Sequence, residues 1–410
     1  MSTNRFRTGI KTFPKAILLI VNKSFIISYM KYALYLLISL ICFSCTKSSH
    51  QQGSVGNVYS VNLDKTVDPF KNIFSKAEII SLETNDNSLM AWPERVFPFK
   101  GLLYVYDFLS VQRLLVYDEN GKFVKRIGRR GQAPDEYLNM YDCLVDTLHG
   151  DIYFMSVYGQ AKQYDWNGSF KNNIIFPSRP HYYSMALVGD SLIATWSCLE
   201  KEDNSVLLLN RFTGDTVTSF WNDDRIFNHR KQFPFHHYNG KSYFSVGLRQ
   251  QVYEITSAGL LPAYSWDFGK DNIRMELLEY YLNFDDPNER NRKILDDIGT
   301  ETLPFQLGNQ YTNSTYDYVS LVRGARSIRP MTTHVFYDKS KKESLVFDYL
   351  DGKECRMNSP LFFGDDYLLT DVLYDDRETF KSILPEEEYR KLENMLEDDN
   401  PCLLKLYFKK

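Results

Sequence analysis

Residues 101–128 read GLLYVYDFLSVQRLLVYDENGKFVKRIG, and the layout of this segment identifies the fold class. Short runs of aromatic and β-branched residues alternate with glycine turns, a pattern typical of β-strands. The segment and the residues just before it predict four strands, at 95–100, 102–107, 113–117 and 122–127. The Asn120-Gly121 pair favours a tight hairpin, because both residue types tolerate the positive φ that such a turn requires.

The same hairpin returns along the chain at a nearly constant spacing. Gly168, Gly214 and Gly259 follow Gly121 at intervals of 47, 46 and 45 residues. Strand-like runs that precede these hairpins begin after Gly101, Gly150, Gly189 and Gly240. Four-stranded units with a period in the forties are typical of propeller blades. We therefore predict an all-β, six-bladed β-propeller with short helical insertions.

Two segments interrupt the strand pattern, and the last strand closes the ring. Residues 274–298 predict one or two amphipathic helices split near Pro287, and residues 385–398 predict a further helix. We expect the alternating residues 403–408 to pair with residues 77–83, since a ring needs its two ends joined. The propeller is predicted to span residues 75–410, after a linker and N-terminal segment at 46–74.

The N-terminal region predicts export. Residues 30–45 read MKYALYLLISLICFSC, a short basic start, an apolar core and a small residue before Cys45. This layout is typical of a lipoprotein signal peptide, with Cys45 as the lipidated first residue of the mature chain. Residues 1–29 are then an upstream extension from a misassigned start. The alternative is an uncleaved membrane anchor at residues 25–43. Both interpretations predict a cell-envelope protein, periplasmic or on the outer-membrane surface.

Charge argues against a nucleic-acid partner. The whole chain has a formal net charge of -4. Residues 1–45 contain six basic residues and no acidic one, so residues 46–410 carry 42 basic and 52 acidic groups, a net charge of -10. A nucleic-acid surface would need an excess of basic groups. The remaining cysteines are far apart, which favours buried single thiols over a zinc site, with disulfides as the alternative. They are Cys143, Cys198, Cys355 and Cys402.

The repeat resembles a known family. The order of strand, LYVYD, RLLVYD, NGKF and IG resembles the NHL-type repeat, and the mature chain is similar to six-bladed β-propeller lipoproteins of Bacteroidetes. Further matches are SLET at 81–84, GRRGQAPDEY at 128–137 and DNPCLLKLY at 399–407. The resemblance covers about residues 75–410 and implies the fold and the compartment. Ala133 and Asp135 stand where the family pattern more often has glycine.

Ligand-binding candidates are aromatic residues and arginines near predicted inner strands and connecting loops. Exposed aromatic rings mixed with arginine suit stacking on sugar rings or gripping a peptide. We expect a binding module for a saccharide, a peptide or another envelope protein, held at the mouth of the channel. The candidates are Arg95, Arg129, Arg130, Tyr141, Tyr183 and Trp196.

An enzyme is the alternative. In an NHL-like blade the first strand lines the channel, which places His181, His236 and His237 near the axis. Imidazoles there could bind zinc or act as bases in a metal-dependent lyase or hydrolase, and paired aspartates could supply calcium ligands. The first two units have no matching histidine, and no nucleophile motif occurs. We therefore predict no metal, no cofactor and no catalytic residue.

Overall fold

The structure, a computed structural model, describes residues 56–108, 111–178, 181–197, 205–220, 233–300, 302–323 and 331–410. These residues form six β-sheets arranged as the blades of a propeller, which confirms the predicted fold. The upstream extension, the signal peptide with Cys45, the start of the linker and Cys198 lie outside the described residues.

Blades I to III each contain four consecutive antiparallel strands, with the first strand innermost. Blade I is Pro93–Phe99 (β3), Leu102–Asp107 (β4), Arg113–Asp118 (β5) and Phe123–Ile127 (β6). Blade II is Asp142–Asp146 (β7), Asp151–Ser156 (β8), Gln160–Asp165 (β9) and Phe170–Ile175 (β10). Blade III is Tyr182–Val188 (β11), Leu192–Ser197 (β12), Val206–Asn210 (β13) and Thr216–Phe220 (β14).

Blades IV and VI borrow strands from the N-terminal part of the chain. Blade IV is Phe235–Tyr238 (β15), Lys241–Phe244 (β16), Gln251–Thr256 (β17) and Gly259–Asp267 (β18), with Asn57–Ser60 (β1) added outside β18. Blade V is Gln306–Thr312 (β19), Tyr316–Arg323 (β20), Met331–Asp338 (β21) and Glu343–Phe347 (β22). Blade VI is Phe362–Phe363 (β23), Tyr367–Val372 (β24), Cys402–Phe408 (β25) and Phe74–Ile80 (β2).

Two of the repeated glycine hairpins pack closely against the preceding blade. In blade I, Asp118 Oδ1 accepts hydrogen bonds from the amides of Asn120 and Lys122, both at 2.9 Å. Gly121 adopts φ +84°, and a Cβ atom there would lie 2.1 Å from the Ser81 carbonyl oxygen, beside β2. In blade III, a Cβ atom added to Gly214 would likewise lie 2.0 Å from the Ile175 carbonyl oxygen of β10. Glycine is therefore required both by the turn and by the close contact between blades.

The ring closes as predicted. β2 pairs antiparallel with β25 in register from Phe74 opposite Phe408 to Ile80 opposite Leu403. Strands from the N-terminal and C-terminal parts of the propeller thereby share one sheet, which joins the two ends of the ring.

The start of the propeller differs from the predicted boundary at residue 75. β1 pairs in parallel with β18, and the chain then follows the outer rim: the Val61 amide donates to the Asp267 carbonyl at 2.7 Å, and the Val67 amide donates to the Val346 carbonyl at 2.8 Å. We call residues 56–73 the strap, because they cross the outer edges of blades IV and V before entering blade VI. A four-residue strand that is part of no repeat gives little sequence signal, which explains the difference.

Four α-helices accompany the strands among the described residues: Pro69–Asn72 (α1), Met275–Leu282 (α2), Pro287–Gly299 (α3) and Glu386–Glu393 (α4). α2 and α3 form the predicted insertion between blades IV and V, joined by a 2.9 Å hydrogen bond from the Tyr281 hydroxyl to Asp297. α4 ends five residues earlier than predicted, because the chain turns there toward β25. None of the described helices is long and apolar enough to cross a membrane.

Candidate functional site

One end of the propeller carries a row of aromatic rings, close to where the inner strands of blades II and III begin. The rings of Phe108 and Tyr141 lie 5.6 Å apart, those of Tyr141 and Tyr183 6.3 Å, and those of Tyr183 and Trp196 6.0 Å. His181 stacks on Tyr183 at 5.9 Å with an angle of 16° between the rings. We call these five residues the aromatic shelf.

Exposure differs across the aromatic shelf. His181 is exposed and Phe108, Tyr141 and Tyr183 are half-buried, whereas Trp196 is only 2% exposed. Trp196 is thus the buried member of the row, and its indole nitrogen has no hydrogen-bond partner among the described residues. The structure therefore brings three predicted ligand residues, Tyr141, Tyr183 and Trp196, into one cluster. His181, predicted as a channel residue, belongs to this cluster too.

A cavity of about 300 Å³ occupies the central channel toward the opposite ends of the inner strands. All six inner strands or their adjoining residues contribute to its wall. Most of the lining is apolar, including Phe97, Leu144, Met185, Phe235, Leu361 and Phe362. The wall extends to the turns that follow β7, β11 and β15, where His149, Gly189 and Gly240 lie.

His236 contributes to the wall of this cavity. The side chain is 6% exposed and stacks on the Tyr243 ring at 4.9 Å with an angle of 12°. Its Nε2 is buried and has no hydrogen-bond partner in the part of the chain that the structure describes. Burial lowers the pKa of His236 to about 3, with smaller contributions from the neighbouring charges of His237 and Lys339. The imidazole is therefore neutral at physiological pH.

His237 faces the other side of β15. Its Nδ1 lies 3.0 Å from Ser242 Oγ, and the Ser242 hydroxyl donates to the Leu187 carbonyl of blade III. The single hydroxyl proton is thus in use, so His237 Nδ1 must donate and Nε2 keeps a lone pair. Burial also lowers the pKa of His237, which favours this neutral form.

A cluster of polar and charged side chains in the cavity wall joins blades II and III, with Asp146 and Arg211 buried and His149 partly exposed. Asp146 Oδ2 accepts from His149 Nδ1 at 2.8 Å and from Arg211 Nη2 at 2.9 Å, while Oδ1 accepts from the His149 amide at 3.2 Å. Arg211 also donates to the Tyr153 hydroxyl at 2.6 Å. Burial alone would raise the pKa of Asp146, but the hydrogen bonds from His149 and Arg211 outweigh it and keep the pKa below its ordinary value.

Arg95 is the one predicted ligand-binding residue that lines the cavity. Its guanidinium forms an ion pair with Asp142 and donates to the Cys143 carbonyl at 2.6 Å, and the Phe233 ring lies 4.3 Å from it. Nε remains buried without a partner. The positive charge of Arg95 is therefore balanced by Asp142, and its Nε–H group remains without an acceptor among the described residues.

Arg129 and Arg130 lie in the connector between β6 and β7. Arg129 pairs with Glu136 at 2.8 Å, and Arg130 Nε donates to the Leu138 carbonyl at 3.1 Å. Backbone bonds between Arg129 and Tyr137 and between Gly131 and Tyr137 close the loop on itself. Neither arginine contributes to the cavity wall, and the segment serves as a connector between blades.

The described residues contain no group of three or more His, Cys, Asp or Glu side chains placed to hold a metal ion. His181 does not line the cavity that holds His236 and His237. Cys143, Cys355 and Cys402 are buried free thiols, as predicted, and burial raises the pKa of the first two to about 12 and of Cys402 to about 11.

Sequence reasoning missed Asp146, His149 and Arg211. Asp146 and His149 flank the turn before Gly150, and Arg211 lies in the turn before Gly214. The sequence predicts a hairpin at Gly214 and the start of a strand-like run after Gly150, and the polar residues at these two turns are the available signal. Nothing in the spacing shows that Arg211 reaches across to the preceding blade.

Comparison with known proteins supports the fold and leaves the activity open. The family described as "Domain of unknown function (DUF4934)" matches residues 57–407. A crystal structure from Bacteroides fragilis, described as a "Putative exported protein", has a TM-score of 0.68 and 15% identity, covering 86% of this chain and 99% of that one. The WD40 repeats of RRP9 give a TM-score of 0.45 and 8% identity over 82% of this chain and 98% of that one. No curated protein matches the sequence.

Proposed function

This chain belongs to the DUF4934 family, whose description gives no activity, so we infer its function from its own surfaces. We propose that it is a binding module of the cell envelope that holds a saccharide on the aromatic shelf. The observation that carries this proposal is the row of adjacent rings formed by Phe108, Tyr141 and Tyr183 at one mouth of the channel.

Half-buried tyrosines suit a saccharide for two reasons. Each ring offers an apolar face on which the C–H side of a sugar ring can stack, and each hydroxyl can hydrogen-bond at the edge. Trp196 and His181 hold Tyr183 between them, which fixes its ring at little cost in conformational entropy. A peptide or an envelope protein would use the same rings, and its binding is an outcome that the test distinguishes.

We expect Tyr183→Ala to weaken saccharide binding about tenfold or more, as for a central aromatic contact. The measurement is affinity electrophoresis of the purified protein in gels containing xyloglucan, mannan or soluble peptidoglycan fragments. Tyr280→Ala is the matched control, since Tyr280 is a 42% exposed tyrosine on α2, away from the shelf. Equal retardation of the three proteins, or binding only to envelope proteins in a pull-down, would overturn the saccharide assignment.

The envelope location rests on residues 30–45. We expect the mature protein to be lipidated at Cys45, so that Cys45→Ser abolishes incorporation of a radiolabelled fatty acid and releases the protein from membranes. Cys42→Ser is the matched control, because it changes a cysteine three residues upstream and leaves the modified position intact. A Cys45→Ser protein that stays in the membrane fraction would instead favour an anchor at residues 25–43.

The enzyme alternative would now rest on His236 and His237 without His181. A metal-dependent lyase or hydrolase remains a prediction for the channel, and metal analysis of protein purified without chelators would test it directly.

A further inference from the structure

The channel cavity opens to solvent at one end of the ring, where the turns that follow β7, β11 and β15 form its rim. Leu148, Asp190 and Gly240 lie in these turns and are exposed. The rest of the wall is mostly apolar and includes Leu144 and Phe235. A ligand can therefore bury an apolar body in the ring and keep a polar group in water at the rim.

The size of the cavity limits the apolar body of the ligand. The cavity has a volume of about 300 Å³, whereas an engineered apolar protein cavity of about 150 Å³ holds benzene. One or two fused rings, or a branched aliphatic body of similar size, would fit. A chain of several sugars or amino acids would not.

One negative charge at the rim is left without a partner. Arg95 in the wall is paired with Asp142. Arg211 is paired with Asp146, which also lines the cavity. The Asp190 side chain is exposed, and no described residue pairs with its carboxylate; its backbone carbonyl is the group that accepts from Arg211 Nη1, at 3.2 Å. The carboxylate of Asp190 is therefore the unbalanced charge that a ligand meets at the rim.

Two histidines of the wall add hydrogen-bond acceptors. His237 is exposed, and because its Nδ1–H donates to Ser242, its Nε2 keeps a lone pair. His149 is partly exposed and donates through Nδ1 to Asp146 at 2.8 Å, so in its neutral form Nε2 also keeps a lone pair. An ammonium group has three donors and no acceptor, which suits such a rim, whereas a carboxylate has acceptors alone.

From these observations we propose that the open end of the channel is a second binding site, independent of the aromatic shelf, for a compact amine that buries an apolar body in the cavity and holds its ammonium group against Asp190 at the rim. The ammonium group stays partly hydrated there, so it avoids the cost of a fully buried charge. A carboxylate in the same place would meet the like charge of Asp190 and is disfavoured.

The test compares three probes that share a naphthyl body and differ in charge: naphthylmethylamine, naphthylmethanol and naphthoate. Binding to the full protein is followed by ligand-detected NMR at about pH 8, where histidine side chains of ordinary pKa are neutral. We expect the amine to bind about threefold to fivefold more tightly than the alcohol, as for one partly exposed ion pair, and naphthoate to bind most weakly. Equal binding of the amine and the alcohol would overturn the proposal.

Variants of Asp190 test the ion pair. Asp190→Asn should bind the amine and the alcohol equally, and Asp190→Lys should prefer naphthoate, because the charge at the rim is removed in the first and reversed in the second. Asp86→Asn is the matched control, since Asp86 is an exposed aspartate between β2 and β3 that does not line the cavity. If Asp190→Asn keeps the preference for the amine, the assignment of Asp190 is wrong.

Three further variants locate the site. Leu144→Trp fills the cavity and should abolish binding of the amine and the alcohol, whereas Leu261→Trp, at a 55% exposed position on β18, should not. Tyr183→Ala should leave binding of the amine unchanged. If Tyr183→Ala abolishes it, the probes occupy the aromatic shelf and the channel site is wrong, whatever the saccharide tests show.

Discussion

Single buried polar residues fasten neighbouring blades together. Asp142, at the start of β7, pairs with Arg95 of blade I and accepts hydrogen bonds from Ser184 Oγ at 2.9 Å and the Met185 amide at 2.7 Å in blade III. Arg211 of blade III reaches back to Asp146 of blade II in the same manner. Removing one partner of such a buried pair typically costs about 3–5 kcal/mol, because the remaining charge is left without compensation.

Asp371 on β24 gives a pH-dependent contribution to stability. Burial, with a smaller contribution from the charges of Asp376 and Glu94, raises its pKa to about 7, from an ordinary value of 3.8. The folded protein therefore keeps a proton that the unfolded chain releases between these values, so the free energy of unfolding falls as pH rises through that range.

We expect Asp371→Asn to remove this dependence. The free energy of unfolding of the variant minus that of the natural protein should be larger at pH 8 than at pH 5. The increase should be on the order of 2–4 kcal/mol, which corresponds to a shift of about three pKa units. Denaturation in urea at the two pH values measures the difference. His236 and His334, whose lowered pKa values act in the opposite direction, are present in both proteins and cancel. An equal difference at both pH values would contradict the prediction.

At the scale of elements, β1 stabilises the propeller mainly through one aromatic residue. Tyr59 stacks on Tyr337 of blade V with ring centroids 3.7 Å apart and on Tyr264 of blade IV at 4.9 Å, and its hydroxyl donates to Asp317 at 2.8 Å. A four-residue parallel strand has few backbone bonds of its own, so these contacts between two blades account for its position.

Tyr59→Ala should lower the free energy of unfolding by about 3–5 kcal/mol, the usual range for a large buried aromatic side chain, and Tyr59→Phe by about 1 kcal/mol. Urea denaturation gives both values. Val58→Ala changes the neighbouring position on the same strand, where the side chain is 54% exposed, and should be nearly neutral. If Tyr59→Ala were as harmless as Val58→Ala, β1 would contribute nothing through its side chains.

At the scale of the whole molecule, stability depends on closing the ring between β2 and β25. A chain that ends at residue 401 leaves β2 and β24 without their shared partner, so we expect it to show no cooperative unfolding transition in circular dichroism. A chain that ends at residue 409 keeps β25 and the bond from the Lys409 amide to the Ile73 carbonyl, so it should unfold like the natural protein. A cooperative transition in the shorter chain would show that the six blades do not need closure.

The whole-molecule plan was predictable because it repeats. Glycine hairpins such as Asn120-Gly121 depend on local geometry, and the same hairpin recurs in blades I to IV. Properties that depend on contacts between blades could not be predicted from the sequence. Arg95 was predicted to bind ligand, yet its charge is matched by Asp142 from the next blade. The cavity escaped notice for the same reason, since no single repeat contains it.

The strap has a mechanical consequence. A pull exerted on the chain before Gly56 is transmitted first to β1, then to the backbone bonds of Val61 and Val67 with the rims of blades IV and V, and only afterwards to β2 and the joint of the ring. The strap therefore transfers tension from the N-terminal side of the chain to the outer rim of the propeller, before that tension can separate β2 from β25 and open the ring.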